Sequence, residues 1–256
     1  FQVNENGMKA TGVWDELCLN SPYREYVIAQ LCDIVSNYGV DGFWLDQVGF
    51  SSDTCYCQYC REKYFNKYDD KLKSYSQQNM EEQIKFENFK RDSIKDFLLE
   101  CIKRTKSIKS DLDFCWNGSG APWAIGMSQE VADYAVCSST EMHHPKFVQG
   151  SINNRYMRNL GIPFELMIPE CLDSWGDYTL NTESTLQAMA SLIVGNGGAM
   201  NLCAVPSPNG VNAGKAYPAI FKTIGNVFKR IKDNEIYFIN ALPVRDIAIL
   251  TSEEEF

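Results

Sequence analysis

The sequence predicts an α/β fold built on a parallel sheet, a (β/α)8 TIM barrel of which this chain holds the carboxyl-terminal five or so strand–helix units. Helical patterns alternate with short apolar runs along the whole chain. Polar residues of the kind found in active sites follow several of those runs, as they do at the carboxyl-terminal face of a barrel. No Gly-x-Gly-x-x-Gly motif follows the first run, so an open dinucleotide-binding sheet has little support.

The elements follow in order from caps, periodicity and apolar runs. Residues 20–22, Asn-Ser-Pro, predict a helix start, and apolar residues at helical spacing continue until Gly39. A strand over residues 43–45 then leads to Asp46, and residues 138–141 are predicted as a polar loop after a strand. Further helices are predicted over residues 58–68, 80–109, 147–160, 182–195 and 215–232, and further strands over 112–116, 134–137, 163–168 and 198–204.

Length and charge limit the organisation and the partners. A complete barrel has eight strands in about 250 residues, so we expect about three strands upstream of Phe1. We therefore assign residues 1–240 to a truncated barrel domain and residues 241–256 to the start of a following domain. A net charge of -9 argues against nucleic acid, which needs clustered Lys and Arg, and no apolar run reaches the ~18 residues of a membrane span. Cysteine usage leaves the compartment, cytoplasmic or secreted, undecided.

A compact thiol cluster lies just after the strand that carries Asp46. Cys55, Cys57 and Cys60 form a Cys-x-Cys-x-x-Cys group, whose tight spacing lets one loop offer three ligands to a metal ion. Six further cysteines lie singly among apolar residues and are predicted to be reduced thiols: Cys32, Cys101, Cys115, Cys137, Cys171 and Cys203.

Residues 41–46, Asp-Gly-Phe-Trp-Leu-Asp, resemble the strand-four segment of α-L-fucosidases of glycoside hydrolase family 29. The resemblance implies that Asp46 is a nucleophile and that Glu141, after residues 133–136, is the acid/base. Weaker matches in the same order extend it over about residues 35 to 235. They comprise residues 163–167 with 174–176, and residues 197–202 with 208–210.

A second resemblance is to family 42 β-galactosidases, in residues 18–24, Cys-Leu-Asn-Ser-Pro-Tyr-Arg, and in the later cysteine group. It implies that Cys18 joins Cys55, Cys57 and Cys60 in a structural zinc site with no organic cofactor. The overall likeness is to uncharacterised glycosyl hydrolases of the fucosidase-like group, which are often followed by a β-galactosidase-type trimerisation domain. Homo-oligomerisation is therefore one of the expectations.

Together these features predict a glycosidase that cleaves a terminal fucose- or galactose-like sugar from a glycoside or oligosaccharide by a two-carboxylate, retaining mechanism. Glu165 is the rival acid/base because it too is inferred to lie at a strand end, and Glu170 is a weaker one. Candidate substrate contacts, each with a core or loop role as the alternative, are Trp44, Asn117, His143, His144 and Trp175. The competing functions are a non-catalytic carbohydrate-binding barrel and a zinc-stapled assembly module.

Overall fold

The computed structural model describes residues 1–10, 15–51, 54–118, 137–142, 147–172, 179–206, 210–216, 218–244 and 247–249. In these ranges α-helices and short strands alternate, and the chain divides into two compact units, Phe1–Phe114 and Cys115–Phe256. The helices are α1 Tyr23–Asn37, α2 Gln58–Tyr68, α3 Met80–Lys106, α4 Phe147–Met157, α5 Glu183–Gly195 and α6 Pro218–Asp233. The strands are β1 Gly42–Leu45, β2 Asp113–Trp116, β3 Ser138–Glu141, β4 Phe164–Pro169 and β5 Ala199–Cys203.

In the first unit, α1 and α3 cover one side of β1. Helix α3 starts with a capping box, in which the Asn79 side chain accepts from the Glu82 N–H and Glu82 accepts from the Asn79 N–H. A buried cluster of side chains from both helices packs against Phe43 and Leu45. Because side chains alternate along a strand, Trp44 and Asp46 lie on the opposite side of β1, away from the helices.

Strand β1 lies close to the start of β2 at Gly42. A Cβ atom at this position would be 2.4 Å from the backbone oxygen of Asp113. The Asp113 N–H donates to the oxygen of Asp41 at 2.9 Å, which ties the two segments together. Glycine is therefore required here for the approach of the two backbones and not for a turn.

In the second unit, β3, β4 and β5 form a parallel sheet in the order β3-β4-β5. Glu165 pairs with Ser139 on one side and with Ala199 on the other. The helix-facing side is apolar, and its buried cluster consists of Met142, Met157, Phe164, Leu166, Ile168, Leu186, Met189, Ala190, Ile193 and Val227. The opposite side of the sheet, here called the polar face, carries Ser139, Glu141, Glu165 and Asn201 among its alternate side chains.

Several predicted elements are confirmed, including α2 over residues 58–68 and parallel pairing of successive strands. The predicted loop at residues 138–141 is wrong, because these residues form β3. An apolar run does not mark this strand, because its residues are polar. The preceding residues 134–136 lie outside the described residues. The described strands form one sheet of two and one of three, so the closed barrel stays an expectation, as does the domain boundary at residue 240. No helix in the described ranges has the length and hydropathy to cross a membrane.

Candidate functional site

The candidate nucleophile Asp46 follows β1 directly and is exposed. Its Oδ1 accepts the backbone N–H of Gln47 at 2.9 Å, and Gln47 has a φ of 51°. A residue other than glycine in this left-handed region costs on the order of 1 kcal/mol, and such strain concentrates at functional sites. Trp44, 37% exposed, shares the side of β1 on which Asp46 lies. The chain therefore turns sharply at a carboxylate that stands beside an accessible aromatic ring.

The candidate acid/base Glu141 is the last residue of β3. Asn117, the first residue after β2, forms a parallel bridge with Ser139. From there its Nδ2 donates a hydrogen bond to Oε1 of Glu141 at 2.8 Å. The amide that was predicted to contact substrate is thus directed at a carboxyl group, whose orientation it fixes. Both residues lie at carboxyl-terminal strand ends, where parallel α/β folds carry their catalytic groups.

The rival Glu165 is not at a strand end, which corrects the expectation stated above. It is the second residue of β4, and its Oε1 accepts from Ser139 Oγ and from Asn201 Nδ2, each at 3.0 Å. These two donors come from the flanking strands β3 and β5. A carboxylate near the start of a strand that joins its neighbours on both sides is suited to holding the sheet together.

Glu170 occupies the position at the end of β4 that had been inferred for Glu165. It is only 4% exposed, and its Oε1 accepts the backbone N–H of Val205 at 2.7 Å. Its Oε2 is buried and has no hydrogen-bond partner among the described residues. Burial raises the pKa of this carboxyl group, although the Val205 N–H acts in the opposite direction. The backbone of Glu170 also bonds to Cys203 and Asn181, so the residue links the ends of β4 and β5.

The four cysteines that were predicted to bind metal lie together in the first unit. All four sulfur atoms are within 4.8 Å of one another, with Cys18 Sγ 3.4 Å from Cys60 Sγ and 3.5 Å from Cys57 Sγ. In a tetrahedral site with Zn–S bonds of 2.3 Å the sulfur atoms are about 3.8 Å apart. Cys18, Cys55 and Cys60 are buried, so the donor set, the spacing and the burial all fit a closed four-sulfur metal site.

Contacts between thiols shift their pKa values in opposite directions. Hydrogen bonding from Cys18 lowers the pKa of Cys55 to about 7 and also lowers that of Cys57. The pKa of Cys18 is raised, chiefly by its contact with Cys55, and that of Cys60 is raised, chiefly by its contact with Cys18. Ionising all four thiols costs free energy, because thiolates this close together repel one another. A bound cation offsets that repulsion.

The amino-terminal segment holds the cysteine loop in place. The Gln2 side chain donates to the oxygen of Gly49 at 2.9 Å and accepts the Ser51 N–H at 3.0 Å and the Thr54 hydroxyl at 2.5 Å. The Tyr56 N–H donates to the oxygen of Val3 at 2.9 Å. The loop is therefore anchored on both sides of Cys55 by hydrogen bonds that do not involve the thiols.

Three of the predicted substrate contacts fall on residues that the structure does not describe. His143, His144 and Trp175 lie outside the described residues, so their substrate contacts stay predictions.

The structure also brings together two cysteines that were predicted to lie singly. Cys115 and Cys137 have sulfur atoms 2.9 Å apart, and the contact with Cys137 raises the pKa of Cys115. The two cysteines are 22 residues apart and lie on different segments, so no local sequence pattern predicts this contact.

Comparison with known proteins supports the fold. No protein-family model matches the sequence, and no curated protein matches it. Among solved structures, alpha-L-fucosidase isoenzyme 2 from Paenibacillus thiaminolyticus matches 95% of this chain with a TM-score of 0.77 at 22% identity. The beta-galactosidase from Bacillus circulans sp. alkalophilus matches 94% with a TM-score of 0.71 at 13% identity. The PgaB (BpsB) glycoside hydrolase domain from Bordetella bronchiseptica matches 90% with a TM-score of 0.65 at 10% identity.

The chain spans only part of these proteins, 35% of the fucosidase and 44% of the galactosidase. At such low identities the likeness concerns the fold alone. The chain therefore has a glycoside hydrolase-like fold.

Proposed function

We propose that this chain is part of a glycoside hydrolase that removes a terminal fucose- or galactose-like sugar by a two-carboxylate, retaining mechanism. The observation that carries the proposal is a carboxylate at the end of a strand in each unit, Asp46 and Glu141, in a fold shared with glycoside hydrolases. The preference for fucose or galactose rests on the family resemblances and on the similarity in fold to a fucosidase and a galactosidase.

In this mechanism each carboxyl group has one part. Asp46, ionised and exposed, attacks the anomeric carbon and forms a glycosyl ester as the leaving oxygen departs. Glu141 gives its proton to that oxygen and then accepts a proton from the water that hydrolyses the ester. The hydrogen bond from Asn117 keeps the Glu141 carboxyl group in one orientation through both steps. Trp44 offers a flat apolar surface to the sugar beside the nucleophile.

We also propose that the cysteine cluster binds one structural zinc ion. Cys18, Cys55, Cys57 and Cys60 would supply four thiolates, which close the coordination shell and leave no position for substrate. Zinc would therefore stabilise the cysteine loop and the helices around it and would take no part in hydrolysis. The support is the donor set and its spacing.

The test uses the full-length protein and a panel of nitrophenyl glycosides: α-L-fucoside, β-D-galactoside, α-L-arabinoside and β-D-glucoside. We expect one of them to release nitrophenol, and Asp46→Asn to reduce that release by orders of magnitude. Asp41→Asn is the matched control, since Asp41 is an exposed aspartate at the other end of the same strand. For Glu141→Gln we expect a loss of about 10²- to 10⁴-fold with substrates that need acid assistance.

Two outcomes would contradict the proposal. Unchanged activity in Asp46→Asn would remove the nucleophile from the mechanism. Failure to cleave any of the four glycosides, together with measurable binding of one of the free sugars, would favour a non-catalytic carbohydrate-binding barrel.

A further inference from the structure

A chain of hydrogen bonds runs from the protein surface to one of the clustered thiols. Lys63 on α2 contacts the Asp96 carboxylate on α3 at 3.1 Å and donates to Oδ1 of Asn20 at 3.0 Å. Nδ2 of Asn20 donates to Cys60 Sγ at 3.3 Å and to Ser93 Oγ at 3.1 Å. Helices α2 and α3 thus both contact the side-chain amide of Asn20, which lies in the turn before α1 and touches a buried sulfur atom.

The contacts of Asn20 determine which end of its amide faces the sulfur. A lysine ammonium group has donors only, so the amide atom that faces Lys63 must be the oxygen. The NH2 group then faces Cys60 and Ser93, and its two hydrogens match the two acceptors. If Lys63 were absent, the amide could rotate and present its oxygen to the sulfur, which would repel a thiolate.

We propose that Lys63 and Asn20 are positioning residues for a tetrathiolate metal centre: Lys63 fixes the Asn20 amide so that its N–H group stabilises the Cys60 thiolate. The inference rests on the zinc site proposed above. It concerns residues that are not ligands. Asn20 lies in the segment of the family 42 resemblance, where the sequence implied only a helix start, and Lys63 lies outside that segment.

The charge of the metal centre explains why such a chain is useful. A zinc ion with four thiolates carries a formal charge of 2−, and Cys18, Cys55 and Cys60 are withdrawn from water. An N–H donor to a ligand sulfur offsets part of that charge, and the ammonium group of Lys63 strengthens the donor by polarising the amide. The partners that orient metal ligands typically change metal affinity by about 10- to 100-fold when they are removed.

The chain of contacts also supplies a matched control. Asn20, Lys63 and Asp96 line an open groove of about 680 Å³ on the first unit, and Lys103 lines the same groove. Among the described residues Lys103 makes no hydrogen bond to Asn20 or to the thiols. Removing either lysine changes the charge of the groove equally, but only Lys63 holds the amide.

The experiment measures the transfer of zinc from the full-length protein to a chromogenic chelator. The variants are Lys63→Met, Asn20→Ala, their combination and the control Lys103→Met, each checked for fold by circular dichroism. We expect Lys63→Met to release zinc about 10-fold faster and Lys103→Met to match wild type. Since Lys63 acts through Asn20, Lys63→Met should add little in the Asn20→Ala background.

A spectroscopic readout keeps the test independent of release kinetics. With Co²⁺ in place of zinc, the sulfur-to-cobalt charge-transfer band should shift in Lys63→Met and in Asn20→Ala, but not in Lys103→Met. Equal release rates and bands for Lys63→Met and Lys103→Met would overturn the inference, as would full additivity of the two substitutions. If wild-type protein binds neither zinc nor cobalt, the metal proposal itself fails, which is a distinct result.

Discussion

Replacing Gly42 by alanine should destabilise the protein, because β1 and β2 approach too closely for a side chain. The added Cβ would lie 2.4 Å from the Asp113 oxygen, against 3.4 Å for the start of ordinary Cβ contacts, so the backbones must part by 1.0 Å. Overpacking of this kind costs about 1–3 kcal/mol. Loss of the 2.9 Å hydrogen bond between Asp113 and Asp41 adds about 0.5–1.5 kcal/mol. We therefore expect a loss of about 2–4 kcal/mol in the free energy of unfolding.

Urea denaturation of the full-length protein measures this loss, with Gly39→Ala as the control. A Cβ at Gly39 would meet nothing within 4 Å, so that substitution should change stability by less than about 1 kcal/mol. Because Asp46 directly follows β1, Gly42→Ala should also reduce glycosidase activity, and a displacement of this size can cost about 100-fold. Equal midpoints and equal m-values for the two alanine variants would refute the reasoning, since they would mean that the strands separate without cost.

Three further predictions concern the metal, a buried carboxyl group and the amide beside Glu141. Removing zinc with a chelator should lower the melting temperature by about 8–16 °C if zinc was present at 1,000 times its Kd, and Cys60→Ser should abolish that difference. For Glu170→Gln we expect higher stability than wild type at neutral pH and no difference in acid. Burial raises the Glu170 pKa above the ordinary 4.5, so the stability that the protonated group contributes is lost as the pH rises through its folded pKa. Unfolding free energies at a series of pH values would show the opposite trend if the carboxylate form were the stabilising one. Asn117→Ala should lower kcat/KM by about 10- to 100-fold and the melting temperature by only about 1–6 °C, because it removes one hydrogen bond that fixes the orientation of Glu141.

The elements that could be predicted from the sequence are those with strong local signals. Helix α2 was predicted over its full length, and α3 was predicted with a correct start from apolar residues at helical spacing. The capping box of Asn79 and Glu82 is a further local signal at that start. The strand at residues 138–141 was missed because its Ser-Ser-Thr-Glu sequence lacks apolar residues. The side chains of Ser139 and Glu141 bond to Glu165 and Asn117, which are distant in sequence. The strand around Glu165 was predicted over residues 163–168, within one residue of β4, but Glu165 was wrongly inferred to lie at its end and is its second residue.

The candidate site could be predicted only where its residues lie close together in sequence. Cys55, Cys57 and Cys60 share one loop, and only a family resemblance added Cys18 from 37 residues away. The contact between Asn117 and Glu141 depends on the pairing of two segments, and no pattern along the chain encodes that register. The contact between Asn20 and Cys60 has the same origin, because helix packing brings the two residues together.

The polar face of the second unit carries one carboxyl group near the start of a strand and another at the end of a strand. Their hydrogen-bond partners indicate different roles. Glu165, near the start of β4, takes hydrogen bonds from both neighbouring strands, so Glu165→Ala would leave Ser139 and Asn201 without their acceptor. We expect that substitution to lower the free energy of unfolding by about 3–6 kcal/mol, as for loss of two hydrogen bonds to a charged group. Glu141, at the end of β3, is held by one amide, and Glu141→Gln keeps an acceptor oxygen for it. It should therefore reduce turnover and leave stability within about 0.5 kcal/mol of wild type. Urea denaturation and nitrophenol release on both variants separate the roles, and a large stability loss in Glu141→Gln with normal turnover would reverse them.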